Sequence, residues 1–253
     1  MNRGIILGSG TSNGIPMLGY RYPPGYLDNP KNHRTRCSLL IQSPLGNVLV
    51  DCPPEMRLQL TQVPINGLEA VFITHSHADH VMGMDDLRSL CILQDKSMDI
   101  FSLPEFHADI RRIYPYAFQE APRGLFFPKF VLHEAPESIE LIGLKFETFP
   151  VIHGSMRVLG IRFENVAYIT DVSKIPISSR KYLERLDILI IDALQFKPHP
   201  NHFSLEEALA VVEEFKPKRT ILTHLTHFYD HEETSKILPQ NVELAFDGLN
   251  FAF

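Results

Sequence analysis

Thr74-His75-Ser76-His77-Ala78-Asp79-His80, THSHADH, follows a short β-branched apolar run, Ala70 to Thr74, and precedes a helical pattern over Val81 to Leu93. In extended backbone, residues two apart point the same way, so His75 and His77 can converge on one cation. Asp79 and His80 lie past the bend and can aim at a second. Imidazole and carboxylate donors suit zinc, manganese or iron, and a donor set without thiolate leaves room for a water, as in a catalytic site. The plainer alternative is a polar loop with Asp79 capping the helix. Three histidines and an aspartate at this spacing favour metal.

The surrounding composition bounds the answer. The chain has 253 residues, 44% of them hydrophobic, enough to bury a sizeable core and to argue against disorder. A net charge of −6 gives no general attraction to nucleic acid or anionic membrane. Three scattered cysteines, Cys37, Cys52 and Cys91, make no disulfide framework and read as small buried hydrophobes in a reducing compartment. The amino terminus has too short an apolar run for a secretory signal, and no window approaches a membrane span. A cytoplasmic location is the expectation.

Strands are expected at Gly4–Leu7, Cys37–Gln42, Val48–Asp51, Ala70–Thr74, Ile139–Leu141, Leu144–Phe149, Leu159–Phe163, Val166–Thr170, Ile188–Asp192, Arg219–Thr223, Val242–Ala245 and Leu249–Phe253. Helices are expected at Pro53–Gln62, Val81–Leu93, Pro104–Ile113, Ser178–Leu186 and Ser204–Phe215, the last capped by Ser204. Tyr114 to Phe130, rich in Phe, Tyr and Pro, reads as a loop over a cleft or a subunit contact. Strands followed by helices in each half predict an α+β architecture, two sheets face to face with helices outside, in one domain spanning 1–253.

Three further residues end apolar strands or follow one closely: His153 in VIHGS, Asp171 in YITD and His224 in ILTH. A polar residue at a strand end lies at a mouth of a sandwich, so these are candidate ligands. HxHxDH followed by a lone His, an Asp and a final His resembles the metallo-β-lactamase superfamily over nearly the whole chain. The resemblance implies a four-layer αββα sandwich holding two divalent metal ions, zinc or manganese. It implies His75, His77 and His153 on one metal, Asp79, His80 and His224 on the other, and Asp171 bridging. Asp51 would orient a ligand histidine.

GSGTSNGIP at the start, NHFS around His202 and RTILTHLTHFYD near the end resemble the superfamily's phosphodiesterase branch, which includes ribonuclease Z and the PhnP enzymes. This implies hydrolysis of a small phosphodiester, a cyclic ribose or nucleotide ester among the candidates, by a hydroxide that two cations share. His202, Asp79 and Asp171 are the candidate catalytic residues, with His202 assisting the leaving oxygen. Arg34, Arg36 and His202 are the candidate substrate contacts, because guanidinium forks suit phosphate. His199 is a weaker version of His202. The PhnP enzymes carry a cysteine cluster that binds a further zinc with a late histidine. Here the matching stretch is GYRYPPGYLDNP, so His227 lacks those partners and no third metal is expected. A homodimer is expected by analogy. Nucleic acid is not expected as a partner, since no long basic insertion is visible. Ribonuclease Z activity, thioester or lactam hydrolysis, and a non-catalytic metal- or nucleotide-binding protein are the competing readings.

Overall fold

The computed structural model describes residues 1–253. Fourteen strands form two seven-stranded sheets. The first contains β1 (Arg3–Gly8), β2 (Ser38–Ser43), β3 (Gly46–Val50), β4 (Ala70–Phe72), β5 (Met98–Ser102) and β6 (Phe130–Glu134), with β14 (Leu249–Ala252) on the β1 edge. The second contains β7 (Ser138–Leu141), β8 (Leu144–His153), β9 (Met156–Phe163), β10 (Val166–Ile169), β11 (Ile188–Asp192), β12 (Arg219–Thr223) and β13 (Val242–Leu244), adjacent in that order. Helices α1 (Met56–Thr61), α2 (Ala78–Val81), α3 (Leu87–Gln94), α4 (His107–Ile113), α5 (Leu205–Phe215) and α6 (His231–Ser235) complete the fold.

Side chains alternate between the faces of a strand, and the core divides accordingly. Ile6, Leu39, Ile41, Val48, Val50 and Phe72 turn inward to meet Phe146, Ile161, Phe163, Tyr168 and Ile190 of the other sheet. Ile5, Leu7, Leu40, Leu49, Val71 and Ile100 face outward, where Met56, Leu60, Leu87, Cys91 and Ile110 cover them. Leu189, Ile191 and Leu222 face the opposite way and meet Leu205, Ala208 and Val212 of α5. The layers are therefore helix, sheet, sheet, helix, as the patterning predicts.

Strand direction positions the site. β3, β4, β5 and β6 run parallel, as do β10, β11, β12 and β13. β8 is antiparallel to β9, which is antiparallel to β10, so β8 also runs with the parallel group. Within each sheet these strands deliver their carboxyl ends to one edge.

Several elements differ from expectation. The helix predicted over Val81–Leu93 is two helices, α2 and α3, separated at Gly83. A Cβ on Gly83 would lie 2.0 Å from the Pro53 carbonyl oxygen, so the chain needs glycine to pass there. Ser178–Leu186 is a 3₁₀ helix over Ile177–Leu183. Tyr114–Phe130 begins with a 3₁₀ turn, Pro115–Phe118, and its last residue opens β6. Strands β5 and β6 lie where no strand is expected. The Ser204 cap forms as predicted: Ser204 accepts from the Glu207 amide, and Glu207 accepts in return from the Ser204 amide and hydroxyl.

Phe146 joins the sheets, its ring centroid 5.6 Å from Phe72 and 6.0 Å from Phe163, with no solvent exposure. Phe146→Ala is expected to cost about 3–5 kcal/mol of stability in urea unfolding. A loss below about 1 kcal/mol would show that the inter-sheet core is not the main source of stability.

Candidate metal centre

Six of the seven expected ligands come from the segment after β4 and from the ends of β8 and β10, and the seventh follows β12. His75, His77, Asp79 and His80 lie between β4 and the end of α2, His153 closes β8, Asp171 follows β10 and His224 follows β12. Asp51, Asp171 and His224, each just past a strand, adopt left-handed backbone, φ 62°, 52° and 58°. Such conformations cost on the order of 1–3 kcal/mol in a residue with a side chain and concentrate at functional sites. Here each one turns a side chain out of the strand's alternation and toward the shared edge.

The seven expected ligands converge in overlapping groups, two of which Asp171 joins through His75 and His80, while a further group of His153 and Asp171 takes in His202. Potential ligand atoms of His75, His77 and His153 lie within 4.8 Å of one another, as do those of Asp79, His80 and His224. Asp171 reaches both groups: Oδ1 is 4.0 Å from His75 Nε2, and Oδ2 is 3.3 Å from both His80 Nε2 and His224 Nδ1. Asp79 Oδ2 is also 3.3 Å from His80 Nε2, and the Asp79 side chain does not cap α2.

The outer nitrogens of the rings are occupied. His80 Nδ1 donates to Asp51 at 2.7 Å, His153 Nδ1 donates to the Asn201 carbonyl at 2.8 Å, and His224 Nε2 lies 3.3 Å from the Thr11 hydroxyl. These partners set ring orientation and leave the other nitrogen facing inward. His80 Nε2 and His224 Nδ1 are buried without a hydrogen-bond partner. Orphaned buried nitrogens are costly. A divalent cation would satisfy both, so the residues present fit metal.

Electrostatics agree. Burial holds His75, His153 and His224 below the ordinary imidazole pKa, His224 at about 4, so they remain neutral donors. Burial opposes charge on His80 too, but Asp51, Asp171 and Asp79 outweigh it and raise the ring well above its usual value. The same concentration of carboxylates favours a bound cation. Burial opposes ionisation of Asp171, yet His224 and His80 keep it ionised.

Asp51 has the expected orienting place. Fully buried, it accepts from the Thr74 amide at 2.8 Å, from the Thr74 hydroxyl and from His80. His202 stands beside the expected ligands, stacked on His224 at 4.9 Å and edge-on to His153 at 4.6 Å. Its Nδ1 donates to Asp192 at 2.8 Å, which leaves Nε2 free. Asp192 was missed as a site residue. It is fully buried, also accepts from the Val172 amide at 3.0 Å, and ends β11 as Asp171 and His224 follow their strands. The apolar run ILIID ending in aspartate is the signal that marks it. Burial raises the Asp192 carboxyl to about 7 against the pull of His202. Burial disfavours charge on His202, but Asp192 outweighs that and raises it.

The two arginines do not stand as expected. Arg34 is completely buried, with Nη1 donating to the Tyr229 carbonyl at 3.2 Å, so it presents no fork to a substrate. Its place between the amino-terminal loop and the segment after β12 makes it a packing residue. Arg36 is partly exposed, but it pairs with Glu55 and donates from Nε to the Ser12 carbonyl at 3.0 Å. Its charge is thereby committed to Glu55 and to the loop after β1. His199 lies 5.2 Å from His202, ring to ring, one step farther from the ligands. His227 packs on Tyr20 and Tyr22 of the GYRYPPGYLDNP stretch. No helix is long and apolar enough to cross a membrane.

Residues 46–225 match the family model described as the beta-lactamase superfamily domain. The chain is 32% identical over 251 residues to an octanoyltransferase of Porphyromonas gingivalis, an alignment covering 98% of this chain and 51% of that protein. It is 30% identical over 108 residues to a ribonuclease Z of Marinobacter nauticus, covering 41% of this chain and 32% of that one. The chain thus spans about half the length of the first relative and less of the second. A crystal structure of a diphosphatase from the PhnP family superposes with a TM-score of 0.92 at 36% identity, covering all of this chain and 98% of that one. With this fold, this order of histidines and aspartates and these matches, the chain belongs to the metallo-β-lactamase superfamily.

Proposed function

We propose that this chain is a metal-dependent phosphodiesterase that hydrolyses a small phosphodiester at a centre of two divalent cations, zinc or manganese. The carrying observation is that Asp171 reaches both histidine groups while His80 Nε2 and His224 Nδ1 are buried without partners. His75, His77 and His153 would hold one ion, Asp79, His80 and His224 the other, and Asp171 both. Such ions supply Lewis acidity toward phosphate oxygens and lower the pKa of water toward neutrality. The likeness to a PhnP-family diphosphatase supports phosphate as the group attacked.

The remaining residues supply position and a proton. Asp51 fixes His80 in the tautomer that turns Nε2 inward, and Asn201 does the same for His153. Asp192 holds His202 by Nδ1 and favours its protonated form, so that Nε2 can donate a proton to the departing oxygen. With Arg34 buried and Arg36 paired, recognition of phosphate charge falls to His202 and the cations.

A second reading is hydrolysis of an acyl ester or thioester, favoured by the name of the Porphyromonas relative. The deciding experiment is a panel of linear diesters, cyclic ribose phosphates and an octanoyl thioester, run on protein loaded with zinc or manganese. Turnover of phosphodiesters and not of the thioester supports the proposal. Thioester turnover alone would replace it, and two bound metals with no turnover would favour a binding protein.

Dialysis against a chelator should abolish turnover of bis-(p-nitrophenyl) phosphate, and two equivalents of metal per chain should restore it. Asp171→Ala should reduce the bound metal from two to one or none by elemental analysis; two metals retained at full affinity would remove Asp171 from its bridging place. His202→Ala should lower kcat about 10²–10⁴-fold with two metals still bound. Asp192→Asn should cost about 10–100-fold by the same assay, the range for a group that orients another. Full activity in either variant would remove the pair from the reaction.

A further inference from the structure

Each expected histidine ligand but one has a partner at its outer nitrogen. The Thr74 hydroxyl meets His75 Nδ1 at 3.1 Å, and Asp51, Asn201 and Thr11 serve His80, His153 and His224 in the same way. His77 is the exception. It is exposed, its Nδ1 faces His75 Nε2 at 2.9 Å, and its Nε2 makes no hydrogen bond. An imidazole without an outer partner has nothing at that nitrogen to fix its ring orientation. What holds His77 in place must act through its backbone.

The residue before it supplies that hold. Ser76 Oγ donates to Asp109 Oδ2 at 2.7 Å, so the serine is tied to α4 while its two histidine neighbours converge on each other. The helix is itself firmly seated. Ile110 is fully buried against the outer face of the first sheet, and Tyr114, which closes α4, donates its hydroxyl to the Val81 carbonyl at 2.8 Å. Ser76 and Val81 bracket residues 77–80, so the same stretch of chain grips the ligand segment at both ends. Just before α4, Glu105 pairs with Arg157 at 2.9 Å, next to Met156, which faces His153 across the β8–β9 turn. Residues 104–114 therefore touch both segments that carry the His75, His77 and His153 group. The other oxygen of Asp109 pairs with Arg112 at 2.8 Å, an exposed contact within one helix of the kind that contributes little.

We propose that Asp109, acting through Ser76, is a positioning residue for His77 and thereby for the ion that His75, His77 and His153 would hold. This rests on the two-cation reading and adds the part of the chain, outside the ligands, on which one of the two ions depends.

Titration calorimetry of metal-free protein with zinc tests it. The binding step that His77→Ala weakens most marks the first ion; if it weakens neither, His77 holds no ion and the proposal falls. Ser76→Ala and Asp109→Ala should each weaken that step about tenfold, the low end of the range for an orienting group, and leave the other step within about twofold. The double variant should be no weaker than either single one, because both remove the same bond. Arg112→Ala should leave both steps unchanged, which separates the bond from the charge of the helix. Wild-type affinity in either single variant, losses that multiply in the double variant, an equal loss in Arg112→Ala, or equal weakening of both ions with a lowered Tm would overturn the proposal. If wild type binds fewer than two ions, the two-cation reading fails, and hydrogen exchange on the metal-free protein decides the clamp separately. Amides of residues 75–80 should then exchange at least tenfold faster in Asp109→Ala than in wild type, with those of α5 unchanged. Unchanged exchange at residues 75–80 would overturn the hold of α4 on the loop.

Discussion

The hydrogen bond from His80 to Asp51 anchors the centre. It is 2.7 Å long and wholly buried, and it joins the end of β3 to the helix that follows β4. Asp51 also takes the amide and hydroxyl of Thr74, the first residue of THSHADH. One carboxylate thus fixes the entry and the exit of the ligand loop. A buried charge of this kind is tolerated because every contact around it is polar and directed. Loss of Asp51 would free His80 to rotate and leave the loop without its tie to the first sheet.

The second sheet contributes by direction. β8, β10, β11 and β12 point the same way, so a residue at or just beyond each end reaches one edge. His153, Asp171, Asp192 and His224 are those residues. Parallel pairing makes their convergence a consequence of topology, and the sequence distance between them does not matter. The left-handed backbone at Asp171 and His224 completes the turn inward. That strain persists because neighbouring contacts hold the loops: Ala193 donates to Thr223, and Leu225 donates to Ser9.

The partition between ligand and orienting group is electrostatic. His75, His153 and His224, where burial outweighs the pull of Asp171, stay below the ordinary imidazole pKa and offer a lone pair. His80, surrounded by three carboxylates, lies where positive charge is most favoured. His202 is close to the same centre and draws its proton affinity first from Asp192, hydrogen-bonded at 2.8 Å, and then from Asp171, whose Oδ1 lies 3.9 Å from its Nδ1. On the proposed reading, the carboxylate beside each ring separates an imidazole that would hold metal from one that would transfer a proton.

Local sequence determined the ligand loop, the apolar strands that end in polar residues, the Ser204 capping box and the sandwich class, because alternation, capping and ligand spacing act over a few residues. It missed β5 and β6, which hold their place through parallel neighbours, and the break at Gly83, which exists because the Pro53 carbonyl crosses there. The fate of the arginines was likewise tertiary. Arg34 and Arg36 are two residues apart on one basic run, yet one is sealed beneath Tyr229 and the other is paired with Glu55. The Asp192–His202 pair spans ten residues and forms only when β11 lies between β10 and β12. Short-range chemistry is written along the chain; which polar group meets which is decided by how strands from distant segments align.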